Sequence, residues 1–329
     1  MRRALVTGAT GGLGRALISA LQAEGYAVRA TGRDMAIGAG LGAEFLPGDL
    51  RQPGLAATLA AGVDVVFHAA ALSSPWGRNA DFRAINVGAT RVLLDAARQA
   101  GCDSFVFIST PSVYAEPRDR LDLTEASPLP RRFANAYART KFAAEGFVRA
   151  AAAPGFSTIV LRPRALIGPD DKVLLPRLLR VARTGRFPLF RGGKALIDLT
   201  DVRDAAEAAL AADRNRTVAS GQVFNISGGR PAAVREILGE VFGALGLGPR
   251  LVTLPYGFAA GTARALEAIC ALLPGRPEPP ATAYTLSTLA FSQTFDLSAA
   301  RATLGWQPRF SRQQAIQRTA EHWRRHAPL

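Results

Sequence analysis

Tyr137 and Lys141 stand at i,i+4 in the run Tyr-Ala-Arg-Thr-Lys. In a helix that spacing places both side chains on one face. A free tyrosine titrates near a pKa of about 10 and is a poor proton donor or acceptor at neutral pH. A neighbouring ammonium favours the phenolate and is expected to bring that pKa down. Upstream, Ser109-Thr110 follows the apolar run Phe105–Ile108, which puts hydroxyls at a strand end. Alone, a Tyr-x-x-x-Lys spacing also describes an exposed amphipathic helix face. Its combination with that hydroxyl pair is what marks proton transfer at a carbonyl or alcohol oxygen. Thr110 is expected to align the oxygen, and Tyr137 to give or take its proton.

A second cluster sits at the start of the chain. The run Thr7-Gly8-Ala9-Thr10-Gly11-Gly12-Leu13-Gly14 lies between a strand-like segment, Ala4–Val6, and a helical pattern marked by Leu13, Leu17 and Leu21. Glycine there lets a pyrophosphate approach backbone amides at the positive end of a helix. A glycine-rich turn without a ligand is the bland alternative, and the strand-turn-helix context weighs against it. Gly8, Thr10, Gly11, Gly12, Leu13 and Gly14 are therefore expected to hold a dinucleotide. Its ribose end should be read where the second strand closes, in Ala30-Thr31-Gly32-Arg33-Asp34. NAD-binding chains place an acid about 20 residues beyond the glycines. Here Gly32 takes that slot and Arg33 follows, a residue able to pair with a 2′-phosphate. NADP is thus favoured over NAD, although a shift of one residue would bring Asp34 into the slot.

Further cofactor positions follow strand by strand. Asp49-Leu50 closes the third strand, where the acid either accepts from the adenine amino group or caps the next helix. His68-Ala69-Ala70-Ala71 closes the fourth, its alanines small enough for a cofactor to lie against the backbone. His68 itself reads as a packed core histidine. A nicotinamide beside Ser109-Thr110 makes the chemistry a hydride transfer coupled to the Tyr137 proton, and its positive charge is expected to join Lys141 in lowering the Tyr137 pKa. Lys141 is then expected to hold the nicotinamide ribose as well.

The elements that must carry these residues alternate strand and helix. Strand-like runs are Ala4–Val6, Ala27–Thr31, Glu44–Leu46, Val63–Phe67, Phe105–Ile108 and Thr158–Leu161. Such alternation implies parallel strands, right-handed crossovers and a doubly wound α/β sheet of the Rossmann type. After Arg162 proline and glycine recur around one helical stretch, Val173–Arg183. Val223–Ile226 is expected to return to the main sheet, and helices to dominate beyond Pro231. The dinucleotide domain is accordingly set at 1–164 plus about 196–228. A smaller, mostly helical substrate part is set at about 165–195 and 229–329.

Composition narrows the function further. The 329 residues are 48% hydrophobic and 20% charged, as in a globular protein. Their formal charge of +14 comes almost wholly from arginine. The arginines are scattered and lack basic runs or interleaved aromatics, so nucleic acid is not an expected partner. Such a surface suits anionic cofactors or acyl carriers. Cys102 and Cys270 lie far apart, which fits a reducing cytoplasm. His322 and His326 sit at helical spacing without a zinc motif, and no metal is expected. No signal peptide is expected from the N-terminal run. Phe258–Leu273 is apolar but too short to span a bilayer; it reads as a buried or rim helix, with contact to a membrane surface as the alternative.

TGATGGLG, Asp49-Leu50, HAAA, Asn86-Val-Gly-Ala-Thr90, FISTPSVY, YARTK, LRPRALIGPDD and the closing DLSAARATLGWQP occur in the order of the extended short-chain dehydrogenase/reductases. The chain resembles that family over nearly its whole length. Within it, it is similar to the 3β-hydroxysteroid dehydrogenase branch. Trp76-Gly77, the STPSV run and LLPRLL resemble the 2-alkyl-3-oxoalkanoate reductases more narrowly. The resemblance implies Thr110, Tyr137 and Lys141 as the catalytic set. It also implies Asn86 and Pro163 beside the cofactor, with Ser109, Ala69, Ala70 and Ala71 lining it. Pro111-Ser112 stands where the family's 4,6-dehydratases carry an Asp-Glu pair, which argues against elimination chemistry. The expected function is NADP-dependent interconversion of a ketone and a secondary alcohol on a small hydrophobic substrate, 3-oxoacyl or steroid-like. A nucleotide-sugar epimerase and a non-catalytic NADP-binding sensor are the alternatives, and a homodimer is an open assembly.

Overall fold

Residues 1–171 and 173–326 are described by the computed structural model. Seven strands make one sheet: β1 Arg3–Thr7, β2 Ala27–Gly32, β3 Glu44–Pro47, β4 Val65–His68, β5 Ser104–Ile108, β6 Ser157–Pro163 and β7 Val223–Ile226. Their spatial order is β7-β6-β5-β4-β1-β2-β3, and every neighbouring pair is parallel. The order reverses between β1 and β4, which opens a crevice at their carboxyl ends.

Alternate strand residues feed two separate cores. Ala4, Val6, Phe67, Val106 and Ile159 face one side, where Leu17 and Leu21 of the helix Gly12–Ala23 meet the helix Val202–Arg214. Ala205, Ala208, Ala209 and Ala212 of that second helix are buried, and their small side chains allow its close approach. Leu5, Val66, Phe105 and Val160 face the other side. They pack on Leu59, on Leu93 of the helix Thr90–Gln99, and on Ala144 and Val148 of the helix Ala136–Ala150. Two covered faces explain why the strands read as continuous apolar runs. The doubly wound expectation holds.

A third apolar cluster lies beyond the sheet. It joins Ile167, Leu175, Leu179, Phe187, Leu189, Ile237, Val241 and Ile316. Its helix Leu175–Ala182 is shorter than the expected Val173–Arg183. The region after Pro231 is less purely helical than expected. Arg250–Leu254 pairs in parallel with Arg186–Phe190, and Gln293–Phe295 with Arg120–Leu123. Each partner lies far away in sequence, where local periodicity gives no sign of it.

The apolar segment near 258 forms the helix Tyr256–Leu272. Ala263 packs against Phe190 and Leu286 and Ala260 is buried, while Phe258, Ile269 and Leu272 face solvent. No helix among the described residues is long and apolar enough to cross a membrane.

Candidate active site

The glycine turn opens the crevice. Gly8 has φ +69°, and a Cβ there would stand 2.8 Å from the Ala70 amide nitrogen and 2.9 Å from the Ala69 carbonyl carbon. Only glycine allows the end of β4 to come this close. A Cβ on Gly14 would lie 2.2 Å from the Gly8 carbonyl oxygen, so this glycine seats the helix on the turn. Gly11 is different. Its Cβ would meet only the Gly8 oxygen, at 3.4 Å, and no side chain caps the helix it begins. The leading amides of Gly12–Ala23 are thus free of a side-chain cap, and a side chain at Gly11 would intrude on their approach. This is the donor set a pyrophosphate needs.

Thr10 packs over Gly32, whose Cβ would lie 2.9 Å from the threonine Cγ2. Asp34, which left the cofactor reading open, caps the helix Met35–Ala39 and accepts from the Ile37 amide at 3.1 Å. Arg33 is exposed and close enough for its charge to act on Asp49. Asp49 itself accepts from Arg51 Nε at 2.9 Å and from the second guanidinium edge at 2.6 Å. These bonds hold its carboxyl at about 2. Leu50 packs below, against the Leu5 core.

A directed chain of hydrogen bonds underlies the floor of this crevice. The Ala70 amide donates to Thr7 Oγ1 at 3.2 Å, and Thr7 Oγ1 lies 2.7 Å from His68 Nδ1. His68 Nε2 lies 2.9 Å from Thr90 Oγ1, which donates to the Asn86 carbonyl at 2.9 Å. Because Thr90 spends its proton on Asn86, it accepts from His68. The network therefore assigns the Nε2–H tautomer. Burial, aided by the Lys141 charge, pushes the His68 pKa down to about 3. This histidine is structural, as expected.

Asn86 lies in a π-helical stretch, Arg83–Ala89, where one extra residue per turn re-aims side chains. Its Oδ1 accepts from the Leu72 amide at 2.8 Å. Its Nδ2 donates to the Leu72 carbonyl and to Thr140 Oγ1, both at 3.2 Å. Asn86 thus ties the loop after β4 to the helix that carries Tyr137 and Lys141.

The expected catalytic residues come together from two elements. Thr110 caps the short 3₁₀ turn Pro111–Tyr114, accepts from the Ser112 amide at 3.1 Å and donates to Ser112 Oγ at 2.9 Å. Tyr137 rises from the first turn of the helix Ala136–Ala150, which Asn135 caps by accepting from the Ala138 amide at 2.8 Å. Burial pushes the Tyr137 phenol above its ordinary range, while the Ser73 and Thr110 hydroxyls beside it pull the other way. In the protein alone desolvation outweighs these neighbours. Lys141 is 1% exposed, donates to the Ile108 carbonyl at 2.6 Å and lies 3.9 Å over the Phe107 ring. Burial brings its ammonium down to about 7, against the pull of Glu145.

Ser109 turns away from the crevice. Its hydroxyl donates to Glu145 at 2.5 Å. Arg162 grips the same carboxylate from Nε at 2.9 Å and from its outer nitrogen at 2.5 Å, then reaches Tyr114. Only the Ser109 backbone is left to face a cofactor. Pro163 ends β6 opposite Ile226, and Ala71 follows Ala69 and Ala70 out of β4.

Three neighbours escaped the sequence reading. Ser73 borders Tyr137, Ser112 bonds Thr110, and Tyr284 meets Ser112 Oγ at 2.7 Å from the helix Ala283–Ala290. Next to them lies a cleft of about 450 Å³, bordered by Glu116, Arg131, Arg132 and Ser287. His322 lies 3.4 Å from Asp170, which also pairs with Arg15 at 2.7 Å and whose backbone abuts Gly12 of the glycine turn.

The fold and this site define an extended short-chain dehydrogenase/reductase. The chain belongs to the NAD dependent epimerase/dehydratase family, whose model matches residues 4–227. A Stigmatella aurantiaca protein, 4-hydroxy-2-methyl-3-oxo-4-farnesyl-3,4-dihydroquinoline-1-oxide ketoreductase, is 36% identical over 95% of this chain and 94% of its own. The 2-alkyl-3-oxoalkanoate reductase of Stenotrophomonas maltophilia is 34% identical over 95% of this chain and 97% of its own. Among solved structures, MoeE5 in complex with UDP-glucose and NAD superposes with a TM-score of 0.77 at 26% identity, covering 98% of this chain and 99% of that one.

Proposed function

We propose that this protein is an NADP-dependent ketone reductase for a small hydrophobic substrate. The observation that carries the reading is the meeting of Thr110 and Tyr137 over a buried Lys141, at the crevice where β1 and β4 part. NADPH supplies the hydride. Thr110 Oγ1 turns from Ser112 to donate to the substrate carbonyl and fixes its oxygen beside the Tyr137 phenol. Tyr137 donates its proton to that oxygen, leaving a phenolate that the Lys141 ammonium stabilises.

NADP is favoured over NAD by the pair of positions at the end of β2. Asp34 is committed to capping, and Arg33 has no hydrogen-bonded or ion-paired partner among the described residues, leaving its guanidinium free for a 2′-phosphate. Two relatives with ketoreductase or reductase names, each aligned over 95% of this chain, support the substrate class. We place the substrate part at about 165–195 and 229–329, and the dinucleotide domain at 1–164 plus about 196–228. The likeness to MoeE5 favours an epimerase as the second reading; the missing acid at Gly32 weighs against it.

The test is a panel of 3-oxoacyl compounds, steroid ketones and nucleotide sugars incubated with NADPH or NADH. Oxidation of NADPH with a ketone supports the reading. Turnover confined to nucleotide sugars overturns it.

A further inference from the structure

Arg164 follows β6 and is 8% exposed. Its side chain has no hydrogen-bond or ion-pair partner among the described residues, and its Nε is sealed from solvent. Arg162, two positions earlier, makes the contrast, because its fork is filled by Glu145 and Tyr114. A buried guanidinium without a partner is costly to keep. The acid whose charge reaches Arg164 is Asp198, yet that carboxylate is spent on Ser227 Oγ at 2.6 Å and on the Gly229 amide at 2.8 Å. Burial accordingly drives the Arg164 pKa downward.

The side chain borders a narrow recess with Tyr284, Ser287 and Phe291. Glu116, Arg118 and Arg120 border the same recess, but Glu116 is shared by the two arginines, each at 2.8 Å. Arg164 is thus the cation there with an unfilled fork among the described residues. Tyr284 links it to the chemistry, since its hydroxyl meets Ser112, which accepts from Thr110. An anion on Arg164 would lie one tyrosine away from the reacting oxygen.

We propose that Arg164 anchors a carboxylate of the substrate, so that the site selects a 3-oxo acid, or its 3-hydroxy counterpart, over a neutral ketone. The proposal rests on the ketone reductase reading and narrows it. A guanidinium fork matches a carboxylate bidentately, and the low dielectric of the recess strengthens that pair. The carboxylate is untouched by the reaction: hydride goes to the ketone carbon, and the Tyr137 proton to its oxygen. The acid therefore acts as a handle that sets the carbonyl in register with Thr110 and Tyr137.

The test runs the stable direction, oxidation of a 2-alkyl-3-hydroxyalkanoate by NADP⁺, beside its methyl ester. Wild type should prefer the acid by ~100-fold in kcat/KM, mainly through KM. Arg164→Met should collapse that ratio to within about threefold, with Arg164→Lys between the two. Without ligand, Arg164→Met should unfold at the same or a higher temperature, because it removes an unpaired buried charge. A wild-type ratio near one, a ratio unchanged in Arg164→Met, or a fall of several degrees in its melting point overturns the proposal. If wild type oxidises neither compound, the reductase reading is what fails. Calorimetric binding of the hydroxy acid to the NADP⁺-loaded protein then decides the subsite. Binding lost in Arg164→Met upholds it, and binding that is absent or independent of Arg164 removes it.

Discussion

The hydroxyls of Ser112 and Tyr284 meet at 2.7 Å, although the two residues lie 172 positions apart in the chain. That bond fixes Ser112, which holds Thr110 through both its amide and its hydroxyl. The C-terminal part of the protein thereby sets the rotamer of a residue at the end of β5. Tyr284→Phe should lower kcat/KM by about tenfold, the loss of one hydrogen bond at a reacting group. NADPH affinity should be unmoved, because the bond lies away from the glycine turn. Equal losses in kcat/KM and in NADPH affinity, read by steady-state kinetics and fluorescence titration, would refute this division of labour.

Tyr137→Phe should cut kcat by roughly 10² to 10⁴, the usual worth of a positioned acid. Binding of NADPH should stay near normal. Lys141→Ala should instead weaken NADPH and shift the pH profile of alcohol oxidation upward, as the phenolate loses its cation. A Tyr137→Phe protein with near-normal kcat would place the chemistry elsewhere.

Arg33→Ala should raise the NADPH dissociation constant by about tenfold or more, as expected for a lost charge-assisted pair. NADH binding should change far less. Calorimetric titration of both nucleotides checks this, and equal weakening would point to a structural role for Arg33.

His68 makes stability depend on pH. Its native pKa is depressed to about 3 from an ordinary value of 6.5. The unfolded chain therefore binds a proton that the native chain refuses anywhere between those values. Stability from this group is complete above pH 6.5 and is lost as pH falls toward 3, about 2 kcal/mol of it between pH 6.5 and 5. Urea unfolding across that window should show the slope, and His68→Gln should flatten it. An unchanged slope in the variant would assign the effect to other groups.

Much of the site was legible because it is written in short patterns at strand ends. Gly8, Gly11 and Gly14, the alanines after His68, Thr110, and the Tyr137–Lys141 spacing each need only local context. Ser73 and Arg164 lie in segments expected to line the pocket, but neither they nor Ser112 and Tyr284 were legible as individual residues. They reach the crevice through long-range packing, and serine or arginine in a loop has too many ordinary uses to stand out. Arg33 and Asp34 mark the boundary between the two cases. The sequence left a one-residue ambiguity, and the capping bond from Ile37 to Asp34 shows which acid is occupied. For Tyr137 the neighbouring charge was visible in the sequence, whereas the opposing desolvation depends on burial that only the fold shows.

The place of β7 in the sheet bears on how the protein is made. β6 ends at Pro163, and its outer neighbour begins at Val223, 60 residues later. At roughly 5–20 residues per second of synthesis, the β6 edge waits several seconds for its partner. That edge carries Ile159, Val160 and Leu161, all buried in the finished fold. An open apolar edge of this kind templates pairing with other chains. Translation products that stop short of residue 223 should therefore aggregate, and slower synthesis at low temperature alone would lengthen the exposure. A chaperone that covers nascent strands is what this topology calls for in expression.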